Sequence, residues 1–211
     1  MSTIITAGNA TNNGASLLSA ADGELEFKTG SGAGTTALTL STSQIATFSV
    51  GALGTIFSGT AVASTSGTSI DFTGIPAGVK RITVMCNGIS KSSSANFLFQ
   101  LGDSGGIETT GYVGNGIATT AGPTVVNVSS TAGFPMAGDA VGTALVYGSI
   151  VFTLLGSNAW IANGLMTTGN GIYNTSISGS KTLSDTLDRV RITTTSGTDT
   201  FDAGSINILY E

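Results

Sequence analysis

The chain has 211 residues, a formal net charge of −5, and only 9% charged residues, against about a quarter in ordinary globular proteins. Its seven Lys and Arg residues are scattered, so the sequence lacks the basic patch that a nucleic-acid-binding protein needs. It has no histidine and one cysteine, Cys86, which excludes an internal disulfide and the usual zinc and redox sites. We therefore expect no cofactor, no metal site, and a buried structural role for Cys86.

The hydrophobic fraction of 40% occurs in short runs rich in β-branched and aromatic residues, separated by turns that use many of the 31 glycines. No segment sustains a helical period, so the sequence predicts an all-β fold. The apolar runs are too short and too often interrupted to span a membrane, and we expect no membrane insertion. The N-terminus has no basic region before an apolar core and does not look like a secretory signal.

Residues 1–54 differ from the rest of the chain. Short segments with apolar residues spaced by two lie between Gly-, Asn- and Ser-rich turns, at residues 3–6, 23–28, 36–40 and 44–48. Segments this short do not bury an apolar face within fifty residues of one chain. Several copies wound round a common axis would bury it. The alternative is an N-terminal sheet packed on the remainder of the same domain.

Residues 55–211 show a denser β pattern, and we predict a β-sandwich head of jelly-roll or similar Greek-key type. The predicted strands are residues 56–63, 69–73, 79–87, 96–101, 124–128, 143–155, 159–166, 174–177, 190–194 and 205–209. Residues 102–134 are otherwise loop-like.

The uncharged stretch from Ala140 to Ser180 is the centre of this pattern, and it predicts a hairpin with a turn at 156–158. Both faces of its first strand are largely apolar, so we expect cover on both sides, by another sheet or by another copy of the chain.

Several stretches resemble the shaft and tip regions of bacteriophage tail-fibre-like proteins. The shaft likeness lies in residues 27–30, 35–41 and 44–48, and the tip likeness in residues 68–76, 79–85, 187–193 and 206–211. The resemblance implies a homotrimer with a short β-rich shaft, residues 1–54, and a head, residues 55–211. The sequence departs from long tail fibres because it begins almost at the shaft, without their N-terminal adaptor for the tail.

The resemblance implies a non-enzymatic protein on the virion surface, made in the host cytoplasm, whose N-terminal segment binds other tail or capsid proteins. The head would contact a host glycan or protein. The missing adaptor keeps a capsid decoration or head-fibre protein open as an alternative. A polysaccharide depolymerase is a further alternative, which the small size of the chain disfavours.

Two sets of residues could carry catalysis. Gly102 to Gly106 reads Gly-Asp-Ser-Gly-Gly, like the nucleophile segment of trypsin-like proteases, but a chain without histidine lacks the base that would activate Ser104. Paired carboxylates for glycoside hydrolysis could come from Asp103 with Glu108, Asp185 with Asp188, or Asp199 with Asp202. Short acidic spacings are common in loops, and we assign no catalytic residue.

Aromatic residues on loops are the usual platforms for sugars. Tyr112, in a predicted loop from 105 to 121, and Tyr173, with Asn170 beside it, are therefore the ligand-binding candidates. Trp160 lies in an apolar strand and is assigned to the core.

Overall fold

The structure, a computed structural model, describes residues 25–29, 35–40, 46–48, 56–120, 122–138, 142 and 144–211. The predicted strand at residues 3–6 lies outside this part. The chain divides into two compact units, Met1–Thr55 and Ile56–Glu211. The described residues contain no α-helix, so the all-β prediction is confirmed. No helix long and apolar enough to cross a membrane occurs among them.

The N-terminal unit contains a three-stranded antiparallel sheet. Its strands are β1 (Leu25–Thr29), β2 (Thr35–Leu40) and β3 (Ala46–Phe48), in the order β1-β2-β3. The register places apolar positions opposite one another, Leu25 opposite Leu40 and Leu38 opposite both Phe27 and Phe48.

The second unit contains fourteen described strands in two antiparallel sheets. They are β4 (Phe57–Ser58), β5 (Val62–Ala63), β6 (Ile70–Thr73), β7 (Arg81–Lys91), β8 (Phe97–Asp103), β9 (Gly106–Ile107), β10 (Tyr112–Thr120), β11 (Val125–Ser130), β12 (Phe134–Pro135), β13 (Val146–Gly156), β14 (Ala159–Thr168), β15 (Tyr173–Thr182), β16 (Leu187–Thr194) and β17 (Phe201–Tyr210).

The nine-stranded sheet runs β11-β10-β15-β14-β13-β7-β17-β4, with β5 also paired to β17. The five-stranded sheet runs β12-β8-β16-β6, with β9 paired to β8. Four antiparallel pairs nest one inside the next, as in a jelly roll: β7 with β17, β8 with β16, β10 with β15, and β13 with β14. Three of these pairs lie in the same sheet. The predicted sandwich is thus confirmed.

The core lies between the two sheets. Ile82, Val84 and Phe152 from the nine-stranded sheet and Phe99 and Val190 from the five-stranded sheet are fully buried in one apolar cluster. Each such side chain contributes about 1.5–3 kcal/mol when it leaves water. Trp160 and Cys86 are also in this cluster, as the sequence predicted. Burial raises the pKa of the Cys86 thiol to about 12, so this thiol stays protonated and unreactive at neutral pH.

The central hairpin is confirmed. β13 and β14 pair along their length and are joined by Ser157 and Asn158, whose φ angles of 48° and 61° suit a two-residue hairpin loop. The inward side of β13 is buried at Ile150 and Phe152, whereas Tyr147 and Thr153 on its outward side are exposed. Among the residues that the structure describes, the core therefore covers only the inward side of this strand.

The predicted strand at residues 124–128 corresponds to β11, but the prediction of a loop over the rest of residues 102–134 is wrong. This stretch also contains β9, β10 and the start of β12. β10 reads YVGNGIATT, and its inward Gly114 and Gly116 hide the strand pattern. A Cβ at Gly114 would lie 2.2 Å from the carbonyl oxygen of Gly133, and one at Gly116 would lie 2.3 Å from that of Pro135. The glycines are needed because the segment that includes β12 crosses close over β10.

Candidate functional site

Tyr112 does not lie on a recognition loop. It begins β10, and its side chain is only 2% exposed. Its hydroxyl accepts a 2.7 Å hydrogen bond from the backbone N–H of Leu101 and donates to the carbonyl oxygen of Leu101 or Glu108. Its ring packs edge-on against Phe134. Tyr112 therefore joins the two sheets and presents no ring face to a sugar.

Asn170 and Tyr173 lie together at the turn between β14 and β15. The Asn170 side-chain oxygen accepts a 3.1 Å hydrogen bond from the backbone N–H of Ile172, which shapes the turn. The backbone N–H of Tyr173 donates to the Thr168 hydroxyl, and the Tyr173 side chain is half-buried. Asn170 remains exposed, so these two residues are the part of the predicted ligand site that solvent reaches.

The protease-like motif forms the tight turn between β8 and β9. The Asp103 carboxylate accepts a 2.8 Å hydrogen bond from the backbone N–H of Gly105, and β9 then pairs back onto β8. Ser104 is exposed, and no hydrogen bond joins its side chain to a base among the described residues. The motif therefore has the geometry of a turn.

Asp103 and Glu108 do come together, around Ser184. The Ser184 hydroxyl donates a 2.7 Å hydrogen bond to Asp103, and its backbone N–H donates a 2.6 Å bond to Glu108. Glu108 also forms an ion pair with Lys181, whose side chain is buried. The sequence did not single out Lys181 or Ser184.

The bonds from Ser184 and Gly105 hold the pKa of Asp103 below its usual range. Burial alone would raise the pKa of Glu108, but the hydrogen bonds from Lys181 and Ser184 outweigh it and lower the pKa. A glycosidase general acid needs a raised pKa. Neither carboxyl has that property.

Acidic side chains of the other two candidate pairs also accept hydrogen bonds from neighbouring groups. The Asp188 carboxylate binds the Arg189 guanidinium through two hydrogen bonds, which lowers the pKa of Asp188. The Asp199 carboxylate accepts from the Ser196 hydroxyl at 2.8 Å, and Asp202 accepts from the Ser90 hydroxyl. Within the described part of the chain, no three His, Cys, Asp or Glu residues lie close enough to hold a metal ion.

A cleft of about 300 Å³ opens beside the central hairpin turn. Lys80, Asn158, Thr186 and Trp160 are among its lining residues. The buried indole nitrogen Nε1 of Trp160 has no hydrogen-bond partner in the described structure. An ammonium, an amide and a hydroxyl beside an indole form the kind of mixed lining that polar ligands use.

An extended surface lies on the outward side of six strands of the nine-stranded sheet, from β11 across to β7. Its residues alternate with the buried ones along each strand, and we call them the uncharged face. They are Val113, Asn115, Ile117 and Thr119 on β10; Val125, Asn127 and Ser129 on β11; Tyr147, Ser149, Val151 and Thr153 on β13; Ile161, Asn163, Leu165 and Thr167 on β14; Asn174, Ser176, Ser178 and Ser180 on β15; and Thr83, Met85 and Asn87 on β7.

None of these residues carries a charge, and several large apolar side chains on the face are open to solvent. Val113 is 72% exposed and Leu165 is 64% exposed. Ser176 lies directly between Ile117 and Leu165 on neighbouring strands, so the apolar groups recur across a Ser-, Asn- and Thr-rich surface.

The outward side of the five-stranded sheet is different. Arg191 and Asp71 pair there through two hydrogen bonds of 2.7 Å, and Arg189 lies on the same strand as Arg191. The two outward faces therefore differ: the five-stranded sheet carries an ion pair within its face, whereas the nine-stranded sheet carries one, Arg81 with Glu211, at the edge of the uncharged face.

Comparisons with protein-family models, with curated proteins and with solved structures found no match to this chain.

Proposed function

We propose that this chain is a structural protein of a bacteriophage virion, a short homotrimeric fibre whose head contacts the host surface. The register of the N-terminal sheet carries the proposal. It places apolar positions opposite one another, Leu38 opposite both Phe27 and Phe48, in strands of only 5, 6 and 3 residues. One chain with so small a sheet does not bury an apolar face, whereas three copies round an axis do.

The resemblance of residues 27–48 to fibre shafts supports the same conclusion. On this proposal the N-terminal unit holds the copies together and binds tail or capsid proteins, and the second unit is the head. The protein is made in the host cytoplasm and carried on the virion surface.

The state of the acidic side chains supports a non-enzymatic role. Asp103, Glu108 and Asp188 each have a lowered pKa because they accept hydrogen bonds from neighbouring groups. Side chains held as carboxylates by such bonds stabilise the head and do not act as general acids near neutral pH.

The cleft near Trp160 and the exposed turn at Asn170 support a contact with a host glycan or protein. Both offer hydrogen-bonding groups at the surface of the head. Each site would bind weakly, and three copies on one fibre would multiply the effective affinity.

Immunogold electron microscopy of phage particles from the host that produces this chain tests the proposal. Antibodies raised against residues 56–211 should label projections on intact particles. Particles that contain no such antigen would contradict a virion role. Purified chain that binds host cells, and loses that binding when glycans are removed, would identify glycan as the receptor.

A further inference from the structure

We propose that the uncharged face is turned toward the common axis of the assembly and packs against other copies of this chain. The occupant of the face is thus a second copy of the same head. The inference rests on the proposed homotrimer, because it names the head surface through which the three copies meet.

The distribution of charge favours the uncharged face as the contact between copies. Each chain has a formal net charge of −5, so identical copies repel one another wherever acidic side chains approach. Asp71 on the five-stranded sheet belongs to such a surface, although it is paired with Arg191. The uncharged face itself contains no acid, and the two charged side chains at its edge, Arg81 and Glu211, form an ion pair with each other.

The exposed apolar side chains of the uncharged face also favour contact with another copy. The uncharged face exposes Ile117, Ile161 and Leu165 to solvent. Soluble monomeric proteins rarely expose large contiguous apolar patches. The sequence of β13 predicts cover on both sides, and the described part of the chain buries only the inward one. Another copy on the uncharged face would supply the missing cover.

The uncharged face is also large enough to form a protein interface. The face spans six strands that lie about 4.8 Å apart, which gives a width of roughly 29 Å. Along each strand, up to four outward residues lie about 6.8 Å apart, which gives a length of roughly 27 Å. That area is close to the roughly 800 Å² per partner of a standard protein interface. Ser, Thr and Asn side chains both donate and accept hydrogen bonds, so one part of the face can meet a different part of the same face on a neighbouring copy without an opposite charge.

Cysteine labelling of the full chain tests the inference. Asn163→Cys places a thiol in the middle of the uncharged face, and Thr73→Cys places one on the outward side of the five-stranded sheet. Both positions are exposed in the single chain. The native Cys86 is buried and contributes little signal. Each variant is first checked for trimer formation by light scattering and then treated with a maleimide.

We expect the Asn163→Cys thiol to react at least about tenfold more slowly than the Thr73→Cys thiol in the trimer. The two rates should converge after dilution to single chains. If Asn163→Cys prevents assembly, Ser178→Cys, on the paired position of β15, replaces it.

Equal rates in an intact trimer would overturn the inference and leave the proposed fibre standing. Protection that appears only after a host glycan is added would also overturn it, since the glycan would then be the occupant. A wild-type chain that stays monomeric would contradict both proposals.

Discussion

The ammonium group of Lys181 lies 5.2 Å from the centroid of the Tyr112 ring and forms an ion pair with the carboxylate of Glu108. This contact joins β15 to the start of β10 and to the segment after β9. Ser184, three residues beyond Lys181, bonds to both Glu108 and Asp103. One polar network thus fastens one end of the sandwich.

Replacing Lys181 with methionine should lower the free energy of unfolding by about 2–3 kcal/mol. The substitution leaves the Glu108 carboxylate without its cation. The expected loss of stability is smaller than for a fully buried ion pair, because Glu108 is partly exposed. Urea unfolding measures the effect. Lys80→Met, at an exposed cation, is the control and should change stability by less than about 0.5 kcal/mol. Similar losses in both variants would contradict the role of the network.

Stability should fall as the pH drops below about 4–5. Asp103, Glu108 and Asp188 have pKa values below their usual range in the folded chain, so their stabilisation is present above the unfolded pKa values and is lost as the pH falls through the folded ones. Chemical unfolding at a series of pH values measures the slope. Asp103→Asn should be less stable near neutral pH and should show a shallower acid slope than the wild type. An unchanged slope would contradict this assignment.

Gly148→Ala should destabilise the head far more than Gly171→Ala. Both glycines have positive φ angles, 139° and 70°, so both substitutions carry backbone strain of about 1–2 kcal/mol. Only at Gly148 would the new Cβ meet backbone, 2.3 Å from the carbonyl oxygen of Leu165, while nothing lies within 4 Å at Gly171. Thermal unfolding of the two variants gives the comparison. Equal melting temperatures would contradict the close approach of β13 and β14.

The central hairpin could be predicted because each of its strands is a long run of β-type residues bounded by one clear turn. β10 could not be predicted from the local sequence. Its glycines at 114 and 116 are required because the backbone of residues 133–135 crosses close over the strand and leaves no room for a side chain. Such a crossing leaves no signal in the local pattern. Sequence periodicity therefore identified strands whose inward residues are large and apolar, and it missed β10, whose inward glycines are set by a distant contact.

The candidate site was predicted less well than the fold. Tyr112 was expected on a loop because β10 was missed, and its burial follows from its place at the start of that strand. Lys181 is the first charged residue after the uncharged stretch from Ala140 to Ser180. This position in the sequence could have indicated that Lys181 is buried and ion-paired. The uncharged face depends on the register of six strands, which the sequence does not reveal.

Asn158→Gly should stabilise the head by up to about 1 kcal/mol. Ser157 and Asn158 form the whole loop between β13 and β14, and both have positive φ angles, which glycine adopts without the cost that a side chain adds. Asn158→Val should be destabilising, since a β-branched residue is poorly tolerated at positive φ. Urea midpoints test the pair, and a more stable valine variant would contradict the turn geometry.

The native mass of the full chain, measured by light scattering on a gel-filtration peak, distinguishes a homotrimer from a monomer. We expect three times the 20.9 kDa of one chain. A shortened chain that begins at Ile56 should assemble more weakly and approach the monomer on dilution, since it lacks the N-terminal sheet. A full chain that remains monomeric at all concentrations would contradict the self-assembled fibre.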